Sequence, residues 1–255
     1  MHQDFLPPGI VVLTGAGISK ESGIDTFRDK DGLWTRVNLE EVATIDAWRR
    51  DKKKVLDFYN DTRRTFRGAH IVPNAAHKAL AKLEQKYEGE VTVVTQNIDP
   101  LHEQAGSKRV LHMHGRDGEI RCMNCGTVTR SDVDLTPQSA CPNCKAVGEL
   151  RPNIVWFGEM PMHMDEIEAA LERCGLFLSI GTSGEVYPAS ASWIVCAARM
   201  PDSSAPWIQA WYSEQCSPAK WIRPSGRTMS AWRSVCCSGA NMANAPRAQR
   251  SAYQA

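Results

Sequence analysis

The chain has 255 residues, 30 basic and 29 acidic side chains, a formal net charge of +1 and nine cysteines. This length can bury a full core, and the balanced charge argues against nucleic acid or an anionic membrane as a partner. We expect neither a signal peptide nor a membrane span, because no apolar run precedes Pro7 and none approaches the roughly 18 residues that cross a bilayer. Without an export signal, cysteines favour metal binding in a reducing compartment, so a cytoplasmic protein is expected.

Three short apolar segments predict buried strands: Ile10–Thr14, Val91–Thr95 and Leu176–Ile180. Apolar residues at helical spacing predict helices over residues 73–84 and 165–173. Strands that alternate with helices predict an α/β fold with a parallel sheet covered on both faces. Ligands bind such sheets beyond the carboxyl ends of the strands, so the segments that follow the strands are the candidate site.

The first strand runs into a glycine turn, Gly15-Ala16-Gly17-Ile18-Ser19. Glycines let a backbone approach phosphate groups, and a helix that begins there offers free N–H groups and a positive dipole. The pattern therefore predicts a phosphate cradle, although an ordinary tight turn has the same residues. Gly181, which follows the last predicted strand, would lie at the same edge.

Polar side chains follow the second strand in the segment Thr95-Gln96-Asn97-Ile98-Asp99. They could recognise an amide and hold a water molecule, and the Asp99 carboxylate would stabilise a cation that forms in the site. Capping of the next helix by Asn97 or Asp99 is the alternative interpretation.

Two histidines stand in the segment His112-Met113-His114, which we predict to be a strand. We expect only one of the two imidazoles to face any given side. His114, followed by Gly115, is the better candidate for a general base, with a buried structural histidine as the alternative. His77 and His102 lie on predicted helices, where structural or surface roles are expected.

Two cysteine pairs, Cys122/Cys125 and Cys141/Cys144, are separated by 15 residues. This spacing fits the C-x2-C-x15–20-C-x2-C pattern of a zinc site. Four thiolates complete a tetrahedron around one ion and leave no open position, so a structural zinc is predicted. Four unpaired cysteines in a loop-rich stretch are the alternative. The cysteines fall in residues 116–150, which we predict to be a zinc-ribbon insert between two parts of the main domain, residues 1–115 and 151–200.

Together these segments resemble the sirtuins, the NAD-dependent protein deacylases, and in particular bacterial members grouped with the desuccinylase-type branch. The matching motifs occur in family order over roughly residues 8–199. They are GAGISKESGIDTFR at 15–28, TQNIDPLHEQAG at 95–106, HMHG around His114, the two cysteine pairs, VWFGEMP at 155–161 and GTSGEVYPA at 181–189.

The resemblance implies a Rossmann-like doubly wound domain and a small zinc domain, with NAD and an acyl-lysine peptide between them. It assigns catalytic roles to His114, Asn97 and Asp99, with His114 as general base on a ribose hydroxyl. The products would be free lysine, nicotinamide and O-acyl-ADP-ribose. The implied NAD contacts are Gly15, Ala16, Gly17, Ile18, Ser19, Gly23, Phe27, Arg28, Trp34, Gln96, Asn97, Ile98, Asp99, Gly181, Thr182 and Ser183.

The same resemblance places the peptide along Val155, Phe157, Gly158 and Glu159, paired as an added strand. Ala43 and Tyr59 match the acyl pocket of the desuccinylase-type branch. That branch has a Tyr-x-x-Arg pair on a helix, where the arginine binds an acyl carboxylate.

Here Thr62 stands at the arginine position, and Arg63 and Arg64 follow it. One residue turns a helix by about 100°, so Arg63 need not face the pocket. A neutral threonine cannot form a bidentate pair with a carboxylate. The prediction is therefore removal of acetyl or other neutral acyl groups in preference to succinyl.

Residues 201–255 contain neither leucine nor phenylalanine, yet four of the eight tryptophans. Too little aliphatic surface is present to offset the entropy of ordering. The strand, asparagine loop and closing helix of the family have no counterpart there, so we predict an atypical tail. Our hypothesis is a frameshift or an unrelated exchange that begins near Met200. A divergent natural terminus is the alternative.

Three other functions stay open at this stage. An ADP-ribosyltransferase would use the same NAD electrophile with another nucleophile. A catalytically impaired NAD-binding protein would result if the tail disables the fold. A zinc ribbon that binds nucleic acid has little support, because its surroundings lack a basic, aromatic patch. The oligomeric state is presumed to be monomeric.

Overall fold

The computed structural model describes residues 8–26 and 38–182 of the chain, and the following description is confined to them. They form seven strands and five α-helices, together with two 3-10 helices, Ala16–Ser22 and Leu39–Glu41. The strands are β1 (Gly9–Thr14), β2 (Val91–Thr95), β3 (Val110–His112), β4 (Gly115–Cys122), β5 (Val128–Arg130), β6 (Leu150–Ile154) and β7 (Cys174–Ile180). The helices are α1 (Ile45–Arg50), α2 (Lys52–Phe66), α3 (Ala75–Lys86), α4 (Leu101–Ala105) and α5 (Met164–Glu172).

Strands β3, β2, β1 and β7 form, in that order, a parallel sheet. Ile10 of β1 lies opposite Val91 on one side and Leu176 on the other. All three strands predicted from apolar segments belong to this sheet, so the predicted parallel sheet is confirmed.

Alternate residues of β1 pack on opposite faces of the sheet, as the twofold periodicity of a strand requires. Val11 and Leu13 pack with Ile167 and Leu171 of α5. On the other face, residues of β1 join a cluster that contains Leu80 of α3. With a helix on each face, the parallel sheet is doubly wound, as the fold class required.

The sheet changes direction between β1 and β7. From β1 the chain proceeds through β2 to β3 on one side, whereas β7 returns to the other side of β1. In open α/β sheets, such a switch point opens a crevice at the carboxyl ends of the strands. The turns after β1 and β7 meet at this point.

Strands β5, β4 and β6 form a separate antiparallel sheet. We predicted that the chain returns to the main domain at residue 151, yet β6 pairs with β4 in this smaller sheet. Helices α1 and α2 also contribute to its core, because Trp48 and Leu56 are buried with Ile120 and Leu150. The smaller sheet thus extends beyond the cysteine insert, and the predicted domain limits stay a prediction.

Both predicted helices are present, each with slightly different ends. Helix α3 begins after Asn74, whose side chain accepts hydrogen bonds from the N–H groups of Ala76 and His77. This N-cap explains why Pro73 and Asn74, which the prediction included, precede the helix. Helix α5 begins at Met164, one residue before the predicted start.

The predicted atypical tail, residues 201–255, lies outside the described residues, and the frameshift hypothesis stays a prediction. No described helix, in either residues 8–26 or 38–182, has the length and apolar character needed to cross a bilayer.

The contact between the turns after β1 and β7 gives the first testable prediction. Gly181 has a φ of 65°, and a Cβ there would lie 2.2 Å from the backbone N of Ile18. We expect Gly181→Ala to lower the free energy of unfolding by about 3 kcal/mol or more, because backbone strain and overpacking add. Chemical denaturation measures this change.

Gly118→Ala is the matched control. Gly118 also has a positive φ, of 82°, but a Cβ there would meet nothing within 4 Å among the described residues. The free energy of unfolding should fall by about 1–2 kcal/mol, the effect of backbone strain alone. Equal losses in the two variants would mean that the turn-to-turn contact does not constrain Gly181.

Candidate active site and metal centre

The glycine turn after β1 packs directly against the turn after β7. The N–H groups of Gly15 and Gly17 donate to the carbonyls of Ile180 and Gly181, at 3.1 and 2.8 Å. A Cβ on Gly15 or Gly17 would lie 2.8 Å from the Gly181 carbonyl oxygen. These two glycines therefore allow two backbones to meet, a requirement that the phosphate-cradle interpretation did not include.

Gln96 joins this contact from the end of β2. Its backbone N–H donates to the Thr14 carbonyl at 2.9 Å, and its side-chain amide donates to the Thr182 hydroxyl at 2.9 Å. The structure thus brings together the segments after β1, β2 and β7, as expected for the carboxyl edge of a parallel sheet.

A buried polar network connects the first two of these segments. The Asn97 amide donates to the Ser19 hydroxyl at 3.0 Å and to the Gly15 carbonyl at 3.2 Å. The Ser19 hydroxyl in turn donates to a carboxylate oxygen of Asp99 at 3.0 Å. Because every side chain of this network is buried and bonded, its geometry is held firmly.

Asp99 presents a buried carboxylate, with 3% of the residue exposed. Burial raises its pKa above the usual value, while bonds from the Leu101 N–H and the Ser19 hydroxyl act in the opposite direction. The Leu101 N–H is the first of helix α4, so Asp99 satisfies a free donor at the helix start although Pro100 holds the N-cap position. The carboxylate is positioned to stabilise a nearby positive charge.

His114 lies beside this loop in the turn between β3 and β4. Its Nδ1 is 3.1 Å from the Gln96 carbonyl oxygen, and burial lowers the pKa of the imidazole. A carbonyl only accepts, so Nδ1 carries the proton and the neutral ring keeps a lone pair on Nε2. This is the form that a general base requires.

The expectation that only one of the two imidazoles faces any given side is wrong, since residues two apart on a strand share a face. Here β3 already ends at His112, and both imidazoles reach consecutive carbonyls of the same loop, those of Asn97 and Gln96. The chain turns after His112 because Gly115, with φ 84°, packs against β6, where a Cβ would lie 2.1 Å from the Asn153 oxygen. His114 therefore lies in a tight turn and not on a strand.

Two buried histidines, His77 and His102, for which structural or surface roles were expected, support the network. His77 Nε2 lies 3.5 Å from the Ser19 hydroxyl, His102 Nε2 lies 3.0 Å from the Thr14 hydroxyl, and the two rings meet edge to face. Burial lowers their pKa values to about 4 and about 3. They are neutral, structural side chains. For His77, the helical spacing with the apolar residue Leu80 is the feature of the sequence that indicates burial.

The segment after β6 lies next to the His114 turn. The Val155 N–H donates to the His114 carbonyl at 2.9 Å, and the Phe157 N–H donates to the Ala43 carbonyl at 3.0 Å. Phe157 and Gly158 are exposed, and a single parallel bridge joins Phe157 to Thr44. The segment predicted to pair with a peptide is therefore anchored through Val155 and Phe157, with Trp156 buried between them, and it is exposed at Phe157 and Gly158.

Glu159 has internal partners instead of an exposed carboxylate. Arg151 donates to both carboxylate oxygens, at 2.7 and 2.9 Å, and the Trp156 N–H donates to one of them at 2.8 Å. The Arg151 guanidinium also stacks 3.3 Å from the Trp156 ring. Glu159 thus braces the segment, and its predicted contact with a substrate stays a prediction.

Tyr59 is buried, and its hydroxyl accepts a hydrogen bond from Trp156 Nε1 at 2.9 Å. Burial raises the pKa of the phenol well above its usual value. The Thr62 hydroxyl donates to the Phe58 carbonyl within α2. Arg63 is buried against the smaller sheet, where it pairs with Asp117 and donates to the Val133 carbonyl.

The four predicted zinc ligands form one cluster, with all four sulfur atoms within 4.8 Å of one another. The Cys122–Cys144 and Cys125–Cys141 sulfur separations are 3.7 and 3.8 Å. A tetrahedron with zinc–sulfur bonds of about 2.3 Å requires sulfur separations of about 3.8 Å. The cluster therefore fits a structural zinc ion.

The two cysteine pairs form turns with the same backbone hydrogen bond, and an asparagine of each turn contacts a sulfur of the other pair. The Gly126 N–H donates to the Cys122 carbonyl, and the Lys145 N–H donates to the Cys141 carbonyl. The Asn124 amide points to the Cys144 sulfur and the Asn143 amide to the Cys125 sulfur, at 3.5 and 3.7 Å. Such N–H···S contacts stabilise thiolates, which are the form that binds zinc.

Several predicted contacts lie outside the described residues: Phe27, Arg28, Trp34 and Ser183. Gly23 closes the 3-10 helix through a bond from its N–H to the Lys20 carbonyl. Ala16 and Ile18 belong to the same helix, and Ile98 packs at the edge of the smaller core. The individual ligand contacts of all these residues stay predictions.

Comparison with known proteins agrees with this geometry. The Sir2 family model matches residues 15–188. An NAD-dependent protein deacylase of Bdellovibrio bacteriovorus is 52% identical over 181 residues, which are 71% of this chain and 77% of the relative. An NAD-dependent protein deacylase of Yersinia pseudotuberculosis is 54% identical over 188 residues, which are 74% of this chain and 68% of the relative.

A solved Sir2 homolog–NAD complex has a TM-score of 0.66 and 39% identity and covers 75% of this chain and 74% of its own. With a matching family model over more than half of its length, this chain belongs to the Sir2 family. Its fold is accordingly the Rossmann-like fold of the sirtuins, with a small zinc-binding module.

The metal centre gives the second testable prediction. Cys125→Ser removes one of four ligands, so we expect loss of about one zinc ion per chain and a fall in Tm of about 10 °C or more. Metal analysis of the purified protein and a thermal melt measure both effects. Cys174→Ala, on β7 and outside the cluster, is the control and should keep its zinc. Zinc retained at full stoichiometry in Cys125→Ser would contradict the four-cysteine assignment.

Proposed function

We propose that this chain removes acyl groups from protein lysines in an NAD-dependent reaction that gives nicotinamide and O-acyl-ADP-ribose. The single observation that carries this proposal is the placement of His114 and Asp99 around one loop, Gln96–Asp99, at the switch point of the sheet. Family membership and the deacylase names of its relatives support it.

NAD, as co-substrate, supplies the ribose carbon to which the acyl oxygen is transferred. We assign the loops after β1, β2 and β7 to NAD, because the sheet's crevice lies between them. The Asn97–Ser19–Asp99 network holds a carboxylate ready for positive charge that develops there. The NAD contacts within Gly15–Ser19, at Gln96–Asp99 and at Gly181–Thr182 belong to this proposal.

His114 is the proposed general base. Its Nδ1 proton is held by the Gln96 carbonyl, which leaves the Nε2 lone pair for a hydroxyl of the substrate. The acyl-lysine peptide would lie along Val155–Gly158, which begins beside His114 and is exposed at Phe157 and Gly158. Glu159 would act by bracing this segment through Arg151.

The third testable prediction concerns this base. His114→Tyr should lower peptide-dependent nicotinamide release by about 100-fold or more, because general-base catalysis contributes about 10²–10⁴-fold. The fold should survive, because His114 is only partly buried. Since its pKa is lowered, wild-type kcat should fall only as the pH drops below the ordinary histidine range. Nicotinamide release measured across pH checks both statements.

Gln138→Tyr is the control, because it adds the same side chain at an exposed position of residues 116–150, outside the loops after β1, β2 and β7. Mass spectrometry of the products gives a further readout, since ADP-ribose attached to protein would favour a transferase over a deacylase. Wild-type deacylation by His114→Tyr would overturn the assignment of the base.

We further propose that neutral acyl groups such as acetyl are preferred to succinyl. Thr62 stands where the desuccinylase-type branch has an arginine, and its hydroxyl is bonded within the helix. Arg63 cannot replace that arginine, because it is buried in a pair with Asp117. The Tyr59 hydroxyl, beside Ala43 in the same core, remains the polar group of the proposed acyl pocket.

The fourth testable prediction follows from this pocket. Wild-type turnover of an acetyl-lysine peptide should exceed that of its succinyl counterpart. Thr62→Arg should raise the succinyl-to-acetyl ratio of kcat/KM by about tenfold or more, since a charge-assisted hydrogen bond contributes about 1.5–3 kcal/mol. Parallel peptide assays measure the ratio.

Thr65→Arg adds the same charge one turn further along α2 at an exposed position, and it should leave the ratio unchanged. A wild-type enzyme that prefers succinyl would refute the proposed selectivity.

The proposal also covers the cellular location, the partners and the oligomeric state of the protein. Nine cysteines with a four-thiolate zinc centre suit a reducing, cytoplasmic location. We propose acyl-lysine proteins as partners, a monomeric state, and neither membrane nor nucleic acid as a ligand, because the net charge is only +1.

A further inference from the structure

We propose that His112 is a positioning residue of the site and that it acts as an imidazolium, with a proton on both ring nitrogens. Its Nδ1–H would donate a hydrogen bond to the Asn97 carbonyl and so fix the loop that carries the Asn97 and Asp99 side chains. This inference rests on the proposed function only for its effect on NAD, because the protonation state is a property of the protein alone.

Two acceptors face the His112 ring. Nδ1 lies 2.9 Å from the backbone carbonyl oxygen of Asn97, and Nε2 lies 2.9 Å from a carboxylate oxygen of Glu103. A carbonyl oxygen has no proton to donate, so the Nδ1 position must carry one.

The second proton depends on the state of Glu103. Arg116 Nη2 lies 3.1 Å from the carboxylate oxygen that faces His112, and a guanidinium at this distance favours the ionised form of the carboxyl. An ionised carboxylate only accepts, so Nε2 must donate as well.

Charges from each neighbouring element surround the ring. Glu103 and neutral His102 come from α4, Arg116 comes from β4, and the buried Asp99 comes from the loop itself. Two carboxylates therefore face two cations when His112 is charged. Such balance is what a buried ionic cluster requires.

The consequence concerns the loop after β2. His114 holds the Gln96 carbonyl and His112 holds the next one, that of Asn97. A neutral His112 would place a lone pair against either the Asn97 carbonyl or the Glu103 carboxylate. The loop would then lose one anchor, and the Asn97 and Asp99 side chains would lose their fixed positions.

The first measurement is the ¹⁵N NMR signature of the histidine rings in the zinc-loaded, full-length protein near neutral pH. His112 should show two protonated ring nitrogens. In Glu103→Gln the new amide can donate to Nε2, so a neutral ring satisfies both partners and the Nε2 proton should be lost. Glu166→Gln, which alters the exposed His163–Glu166 pair, is the matched control and should leave His112 unchanged.

The second measurement separates positioning from general structure. His112→Phe should raise KM for NAD roughly tenfold, the range expected from one charge-assisted hydrogen bond, and leave the peptide KM within about twofold. The double variant His112→Gln/Glu103→Gln restores an N–H toward Asn97 and an acceptor toward residue 103, so it should recover most of the NAD affinity.

The possible results separate a failure of the inference about His112 from a failure of the proposed function. A singly protonated His112 in the wild type would overturn the inference even if deacylation is normal. Equal changes in both KM values of His112→Phe, or no rescue by the double variant, would also overturn it, because a merely structural role predicts both. A doubly protonated His112 in a protein that does not deacylate would instead count against the proposed function and leave the protonation intact.

Discussion

The backbone contact between the turns after β1 and β7 is the constraint on which the site depends. The Gly17 N–H donates to the Gly181 carbonyl at 2.8 Å, and neither residue has room for a Cβ. This approach places Thr182 where the Gln96 amide can reach it, so three separate strand ends become one surface. Without glycine on both sides, steric repulsion would separate the turns and open the crevice.

The metal centre and the proposed substrate segment are also mechanically connected. Cys122 and Cys141 are buried in the same core as Tyr59 and Trp156. Trp156 in turn carries the Arg151–Glu159 brace and donates to the Tyr59 hydroxyl. A closed zinc site that takes no part in chemistry therefore still supports the walls of the proposed acyl pocket, whereas the NAD side depends on the larger sheet.

The sequence-based predictions were accurate for features set by neighbouring residues and less accurate for contacts between residues far apart in the chain. β1, β2 and β7 were identified because buried strands are continuous apolar runs, and the zinc cluster was identified because ligand spacing is local. The failures concerned contacts that form after folding. His112 and His114 were expected to face different sides, but a turn at Gly115, which packs against Asn153, directs both rings to one loop. The ion pair of Glu159 with Arg151 was likewise not foreseen.

From its amino-acid order, this protein already reveals an α/β fold, four clustered thiolates and the residue types of a sirtuin site, because hydrophobic periodicity and short motifs are local properties of a chain. Only the tertiary structure shows how those residues are engaged. Arg63 is paired with Asp117, 54 residues away in the chain, and His112 meets both Asn97 and Glu103 across two elements. Such partners are selected by packing and by the need to satisfy buried polar atoms, and no local pattern records them.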